Sequence, residues 1–368
     1  MAGKSNWGDP GVSEMMQIQE SRLNAPNTNG GQVTRTLQRS GLLKRLRMFY
    51  NAQVNVSAYT SAPTKSVYGP LGAGVKRIRV EANGQIPLFD LSGLGATIYN
   101  EIQNRDGSVL APPAFLGATI HNMGATAGLA RYDAIGATGD FYASLPFEFQ
   151  FALPVNISGQ MSELGLWLLQ NQAIDVGINV QFNDPAPAAA ANEALWGGGT
   201  NTKAGVVAGT FLDIERELYT IPQDPGSYPN LSWVHQVVEF DAPFTGNFSR
   251  FSIPRAGLLL RAVVISLDSS GLPVENTDIA KLKWIYGSND TPIDRPGWAY
   301  NAEYLMDYGR YAPKGATVLD FYKWGESGLK FVKSTEDLAN LRLETSFTST
   351  ATGTQKIILD RLIPVAMR

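Results

Sequence analysis

The sequence predicts an all-β protein made of a duplicated β domain, and three observations carry that prediction. Short runs of β-branched, aromatic and aliphatic residues recur along the chain, most with the period-two alternation of strands whose two faces see different surroundings. The 37 glycines and 21 prolines among 368 residues supply the turns such strands need. Thr220-Ile-Pro-Gln-Asp-Pro-Gly-Ser-Tyr-Pro229, with prolines at 222, 225 and 229, then divides the runs into two sets in the same order. Each proline fixes φ and removes a ladder donor, so this stretch reads as a hinge and not as a helix interior or a central strand.

Before the hinge come Val75–Glu81, Gly95–Ile102, Leu145–Phe151, Val176–Phe182 and Thr210–Pro222; after it come Leu258–Ser266, Lys281–Tyr286, Thr317–Trp324, Leu341–Phe347 and Thr354–Pro364. Matched one to one, the pairs draw closer along the chain, which places the longer loops in the first half, where insertions cost little. One long irregular β domain is the alternative reading of the same pattern.

Size and composition limit the possible functions. The length suits two domains that each bury a core without metals or crosslinks. Hydrophobic content of 44% against 17% charged argues against a coiled coil or wholesale disorder. There is no cysteine, which removes disulfides, thiol nucleophiles and thiolate metal sites. A formal net charge of -3 gives no general attraction to nucleic acid. The first ten residues lack the apolar core of a signal peptide, and no run approaches the ~18 apolar residues of a membrane span, so synthesis and folding in a cytoplasm are expected. On that expectation the Asn-x-Ser/Thr triplets at Asn55, Asn156, Asn230, Asn247 and Asn289 carry no weight.

Taken in order, residues 1–48 read as an N-terminal arm, 49–222 as a first β domain and 223–368 as a second. Within the arm, Ser13–Leu23 suits a short helix and Asn24–Gly31 a polar linker. The chain's concentrated basic segment follows, with Arg35, Arg39, Lys44, Arg45 and Arg47 set among leucines. On a helical wheel Leu42, Leu43, Leu46, Phe49 and Tyr50 share one side and the later basic residues fall away from it. Such a segment either lies on an anionic membrane surface or packs on its own domain and leads into a strand at Gln53–Ser57, its charges solvated. In the first domain Ser158–Gln170 suggests a short helix, because Leu164, Trp167 and Leu168 stand at i, i+3, i+4 behind capping serines. Asn183 to Gly209 is an Ala/Gly-rich loop expected to project outward. Thr291–Gly309, rich in Trp and Tyr, suits either a subunit contact or a core.

Catalytic patterns are hard to assemble. Two histidines in different halves, His121 and His235, cannot build a cupin-type metal cluster in either domain. There is no Gly-x-Ser-x-Gly, and Gly69-Pro-Leu-Gly-Ala-Gly-Val-Lys76 lacks the spacing of a phosphate loop. Asp213, Glu215 and Glu217 alternate along one strand, as the carboxylates of a glycosidase or amidase would, and equally as one solvated face would. No cofactor or metal site is expected.

The segment Leu145-Pro-Phe-Glu-Phe-Gln-Phe-Ala-Leu-Pro-Val-Asn-Ile-Ser158, then Ser162-Glu-Leu-Gly-Leu-Trp-Leu-Leu169 and Asp175-Val-Gly-Ile-Asn-Val-Gln-Phe-Asn183, with Tyr311–Tyr322 as counterpart in the second half, resembles the double jelly-roll major capsid proteins of tailless, membrane-containing icosahedral viruses, the tectivirus type above all. The resemblance spans about residues 45–368 and consists of order, pattern and length. It implies two consecutive eight-stranded jelly rolls with short helices and an N-terminal arm. It further implies a structural subunit, not an enzyme, that self-assembles as pseudo-hexagonal homotrimers into an icosahedral shell around an internal membrane. The implied partners are neighbouring trimers, minor capsid and vertex proteins and the internal lipid membrane, with no specific nucleic acid and the virion capsid as location. The arm, with Arg35, Arg39, Lys44, Arg45 and Arg47, would then face the bilayer. The rival classes are a two-jelly-roll glycan-handling hydrolase of the peptide N-glycosidase type and a viral spike or carbohydrate-binding module.

Overall fold

The structure, a computed structural model, describes residues 15–19, 23–24, 31–57, 64–65, 68, 72, 74–103, 139–151, 153–157, 160–169, 174–183, 196–197, 203–206, 211–220, 231–287, 290–309, 311–322, 333–335, 340–349 and 352–364. They form two compact units. The first takes Met1–Ala152 and Leu166–Tyr228, the second Leu153–Gly165 and Pro229–Arg368.

The longer strands of the first unit are β1 (Met15–Gln19), β2 (Gln32–Thr36), β3 (Leu42–Ser57), β4 (Val75–Ala82), β5 (Ile86–Ser92), β6 (Gly139–Gln150), β7 (Val176–Phe182) and β8 (Phe211–Tyr219), with helix α1 (Gly93–Gln103) between β5 and β6. All pair antiparallel, in the order β1-β8-β3-β6 in one sheet and β2-β7-β4-β5 in the other. Alternation decides which face is buried. Val176, Ile178, Val180 and Phe182 of β7 point into the core with Ile78 and Val80 of β4, while Gly177, Asn179 and Gln181 point away. Phe89 meets Phe151 edge to face at 5.0 Å in that core.

The second unit repeats the order. Its strands are β9 (Trp233–Phe244), β10 (Phe248–Ser252), β11 (Leu258–Asp268), β12 (Ile279–Tyr286), β13 (Asp290–Arg295), β14 (Ala316–Asp320), β15 (Arg342–Phe347) and β16 (Gly353–Pro364), with helix α2 (Gly297–Tyr308) between β13 and β14. The sheets run β9-β16-β11-β14 and β10-β15-β12-β13. Each of the eight longer strands of the first unit therefore has its counterpart eight places on, and each unit is an eight-stranded jelly roll. The core of the second gathers Leu259, Ala262, Val264, Leu282, Trp284, Tyr300, Ile357 and Leu359. A hairpin, Leu153–Ile157 with Gln160–Leu164, belongs to the second unit and packs Leu153 and Leu164 on Leu260, Tyr322 and Leu362.

Several local expectations are corrected. Gly95–Ile102 is not a strand but most of α1, because the Ser92 hydroxyl accepts from the Gly95 amide at 3.0 Å and Leu94, Ile98 and Ile102 repeat at helical spacing. The helix expected within Ser13–Leu23 is strand β1, and that expected within Ser158–Gln170 is half of the hairpin followed by the short strand Trp167–Leu168. The helix expected from Leu42 is β3. A β-bulge at Lys44 skips one residue, since Leu43 pairs Leu218 and Arg45 pairs Glu217, so Leu43, Leu46 and Met48 share the buried face at a spacing that imitates a helix. Residues 15–19, 32–36 and 42–48, expected in an arm apart from the first domain, are strands of its sheets. The counterpart of Leu258–Ser266 is thus β3 and not Val75–Glu81, whose true counterpart is β12. The Trp/Tyr-rich stretch is β13 followed by α2.

Candidate functional site

The five basic residues singled out by sequence are distributed over two sheets. Arg35 lies on β2 opposite Ile178 of β7. Arg39, in the turn before β3, pairs with Asp175 at 2.7 Å. Lys44, Arg45 and Arg47 lie together on β3, where Arg45 and Arg47 stand opposite Glu217 and Glu215 of β8. The Arg45 guanidinium donates to Glu217 through both Nε, at 2.6 Å, and Nη2. Lys44 Nζ sits 3.4 Å from the other Glu217 oxygen and 5.0 Å from the centroid of the Tyr219 ring. Burial alone would raise the Glu217 carboxyl, but the Arg45 hydrogen bond and the charges of Arg45 and Lys44 outweigh it and hold the group below the ordinary glutamate range. A carboxylate held ionised in this way is a poor general acid near neutral pH.

The same seam exists in the second jelly roll, and the match runs residue by residue. Gly41-Leu42-Leu43-Lys44-Arg45 of the first corresponds to Gly257-Leu258-Leu259-Leu260-Arg261 of the second. Both glycines have positive φ, 68° and 56°. A Cβ on Gly41 would stand 2.8 Å from the Tyr219 carbonyl oxygen, and one on Gly257 closer still to that of Leu362, the residue equivalent to Tyr219. Gly41 O accepts from the Leu169 amide and Gly257 O from the Thr335 amide, each following a two-residue strand that pairs with the two leucines. The bulge recurs as well, since Leu259 pairs Arg361 and Arg261 pairs Asp360.

Chemistry differs around the second arginine. Arg261, 1% exposed, lies 3.3 Å from Asp320 of β14 and 3.9 Å from Asp360 of β16. His235 Nε2 is 2.6 Å from Asp360, and the Tyr308 hydroxyl donates to Asp320. His235 is therefore a buried member of an ion network, whereas His121 lies outside the described residues. Among the described residues no group of three His, Asp or Glu side chains is placed to hold a metal ion. Beside this network a cavity of about 140 Å³ is lined by Arg295, Tyr300, Glu303, Tyr304 and Asp307 of β13 and α2, with Arg295 and Glu303 paired at 2.7 Å. Burial pushes the Tyr300 phenol up, and its hydroxyl donates to the Leu282 carbonyl.

The remaining sequence candidates lie largely outside the described residues: the Asp213 side chain, residues 69–71 and 73 of the glycine-rich segment, and the Ala/Gly-rich loop apart from Asn183, Trp196–Gly197 and Lys203–Val206. Lys203–Val206 pairs with Val54–Ser57 of β3. Sequence reasoning missed the repeated Gly-Leu-Leu-x-Arg, although its signal is printed twice in the chain.

With the repeated seam and strand order established, solved structures resembling the whole chain are informative. A chain of the Sulfolobus Turreted Icosahedral Virus superposes with a TM-score of 0.66 at 12% identity, covering 95% of this chain and 91% of that one. The PBCV-1 virus capsid gives 0.60 at 11% identity over 95% and 93%, and the major capsid protein of bacteriophage PM2 gives 0.51 at 14% over 96% and 99%. The chain is a double jelly roll. No family model and no curated protein sequence matches it. This double jelly roll shares with those viral chains its fold and nearly its full extent.

Proposed function

We propose that this double jelly roll is the major capsid subunit of an icosahedral virus and acts by self-assembly. The observation that carries the proposal is the eight-strand order wound twice in one chain, matched over 95% or more of its length by viral capsid chains. Three such chains bring six similar lobes, so a threefold assembly has a nearly hexagonal outline that can tile a shell. Neighbouring trimers, minor capsid and vertex proteins and an internal lipid membrane complete the proposed set of partners, and the virion capsid is the proposed location.

No catalytic role is assigned: of the candidate carboxylates, Glu217 is clamped by Arg45 and Lys44 and Glu215 stands opposite Arg47. The decisive measurement is solution mass by light scattering. A mass about three times 39.9 kDa supports the trimer, and a persistent single-chain mass removes it. The bilayer-facing role of Arg35 and Arg39 needs point substitutions, since deleting residues 1–48 would remove β1, β2 and part of β3. If the Arg35→Gln, Arg39→Gln variant co-sediments with anionic liposomes as well as the parent, these residues have no such role.

A further inference from the structure

Equivalent sheet faces of the two jelly rolls share a pair of cations and an aspartate but differ in the group beside them. Asp90 of β5 and Asp294 of β13 each stand three residues before the glycine that opens the next helix. Arg79 of β4 lies opposite Asp90 and Lys283 of β12 opposite Asp294, with Arg77 and Lys281 two residues earlier on the same faces. Toward the next strand Arg79 and Arg77 stand opposite Asn179 and Gln181 of β7, whereas Lys283 and Lys281 stand opposite Glu344 and Ser346 of β15. The second jelly roll thus places its own carboxylate beside the cations: Glu344, which also binds Arg250 and Arg342 at 2.9 and 3.0 Å. In the first, that position is an uncharged amide, and Thr34 and Gly177 stand where the second has Arg250 and Arg342.

A cavity of about 60 Å³ opens at that place in the first jelly roll, lined by Arg77, Arg79, Asn179 and Gln181. It has room for one small ion, since a water takes ~30 Å³. Asp90, 4% exposed, accepts from Nε of both arginines and, at 3.0 Å, from Arg79 Nη2. It therefore holds the two guanidiniums from the β5 side while the amides face them from the β7 side. One carboxylate cancels one of their two positive charges, and the cavity lining itself carries no negative group. Both arginine side chains remain open to solvent, at 41% and 44%, which leaves a way in. We propose that this cell binds a phosphate or sulfate group. Donors at the corners of a two-by-two strand array, about 5 Å apart across the strands and about 7 Å along them, suit an anion with four oxygens better than a carboxylate with two. The bound group sets a negative charge opposite the fourth-strand cations, as Glu344 does within the second jelly roll. Glu81, 3.9 Å from Arg79 in the next row, competes with the anion and limits its affinity.

The test titrates inorganic phosphate into the full chain at constant ionic strength, followed by calorimetry and by melting temperature. Phosphate stabilises any fold through its exclusion from protein surfaces, so the readout is the difference between parent and variant. Asn179→Glu installs the second jelly roll's carboxylate and leaves Arg77, Arg79 and Asp90 paired. It is expected to weaken phosphate binding on the order of 10-fold or more, and Glu81→Gln to tighten it several-fold. A damaged fold cannot produce the second change. Absence of saturable binding by the parent, or the same isotherm for the parent and both variants, overturns the inference. Acetate binding as tightly as phosphate overturns the match to four oxygens. Vesicles of phosphatidic acid, set against phosphatidylcholine, separate the sources: retention on the former that Asn179→Glu abolishes assigns a lipid phosphate, binding of the free ion alone assigns a soluble one, and either upholds the site.

Discussion

The two jelly rolls solve one backbone problem with two chemistries. At the β3/β8 seam of the first and the β11/β16 seam of the second, the chain enters through a positive-φ glycine, passes two leucines, bulges by one residue and presents an arginine to a carboxylate on the neighbouring strand. In the first, Arg45 keeps 22% of its side chain in solvent and binds Glu217. In the second, Arg261 keeps 1% and is shared between Asp320 and Asp360, themselves bound to Tyr308 and His235. The recurring parts are those the backbone demands, the glycine and the bulge. The buried guanidinium is the one set in a network of carboxylates with their own hydrogen-bond partners, which offsets its desolvation.

The strongest way to break this comparison is at the glycines. Gly257→Ala puts a methyl against the Leu362 carbonyl and the Ile363 backbone, on top of an unfavourable positive φ, and is expected to cost about 4 kcal/mol or more, enough to unfold the second jelly roll. Gly41→Ala meets a single backbone oxygen at 2.8 Å and is expected to cost about 2 kcal/mol. Urea unfolding measures both, and equal small costs would mean that the closeness of the facing carbonyl does not set the need for glycine at either turn.

Next in size is the arginine itself. Arg261→Met leaves two buried aspartates without their cation and is expected to cost about 3–5 kcal/mol, against about 1–2 for Arg45→Met, where Glu217 retains Lys44. Adding Glu217→Gln to Arg45→Met should recover part of the loss. A variant of Arg261 as mild as that of Arg45 would show that depth does not set the demand for partners.

The same contrast explains what could be read from sequence. Val176–Phe182 and Arg342–Phe347 were legible because each buries one face, so polarity alternates residue by residue. Trp233–Phe244 was not, because Val234 to Glu239 are buried on both faces and leave no alternation to detect. Gln32–Thr36 is an edge strand with one apolar residue, Val33, so it shows no apolar alternation and falls within the expected arm. At Leu42 the bulge turned a strand into an apparent helix, which carried β1, β2 and the start of β3 into an imagined arm and shifted the first two pairs of the repeat by one strand. Of the basic candidates, sequence identified Lys44, Arg45 and Arg47 as a group but not their carboxylates, which arrive from β8 more than 160 residues later. The Gly-Leu-Leu-x-Arg repeat would have set the register correctly.

The smallest expected effect sharpens the comparison through pH. Glu217 in the first jelly roll has a folded-state pKa below its ordinary 4.5, so its contribution to stability is complete above that value and is lost as pH falls through the folded one. Lys356 of β16 in the second has the opposite sign. Burial would lower it, but Glu239 at 2.8 Å and Asp241 at 2.9 Å raise it above 10.5, so its contribution is complete below 10.5 and is lost as pH rises through the folded value. Glu217→Gln should therefore flatten the acid limb of a melting-temperature profile and leave the alkaline limb alone, and Lys356→Gln the reverse. Each change should amount to about 1 kcal/mol, or roughly 2–4 °C. A Glu217→Gln protein that keeps the parent's full acid sensitivity would place the titrating group elsewhere and detach the first seam from the acid response.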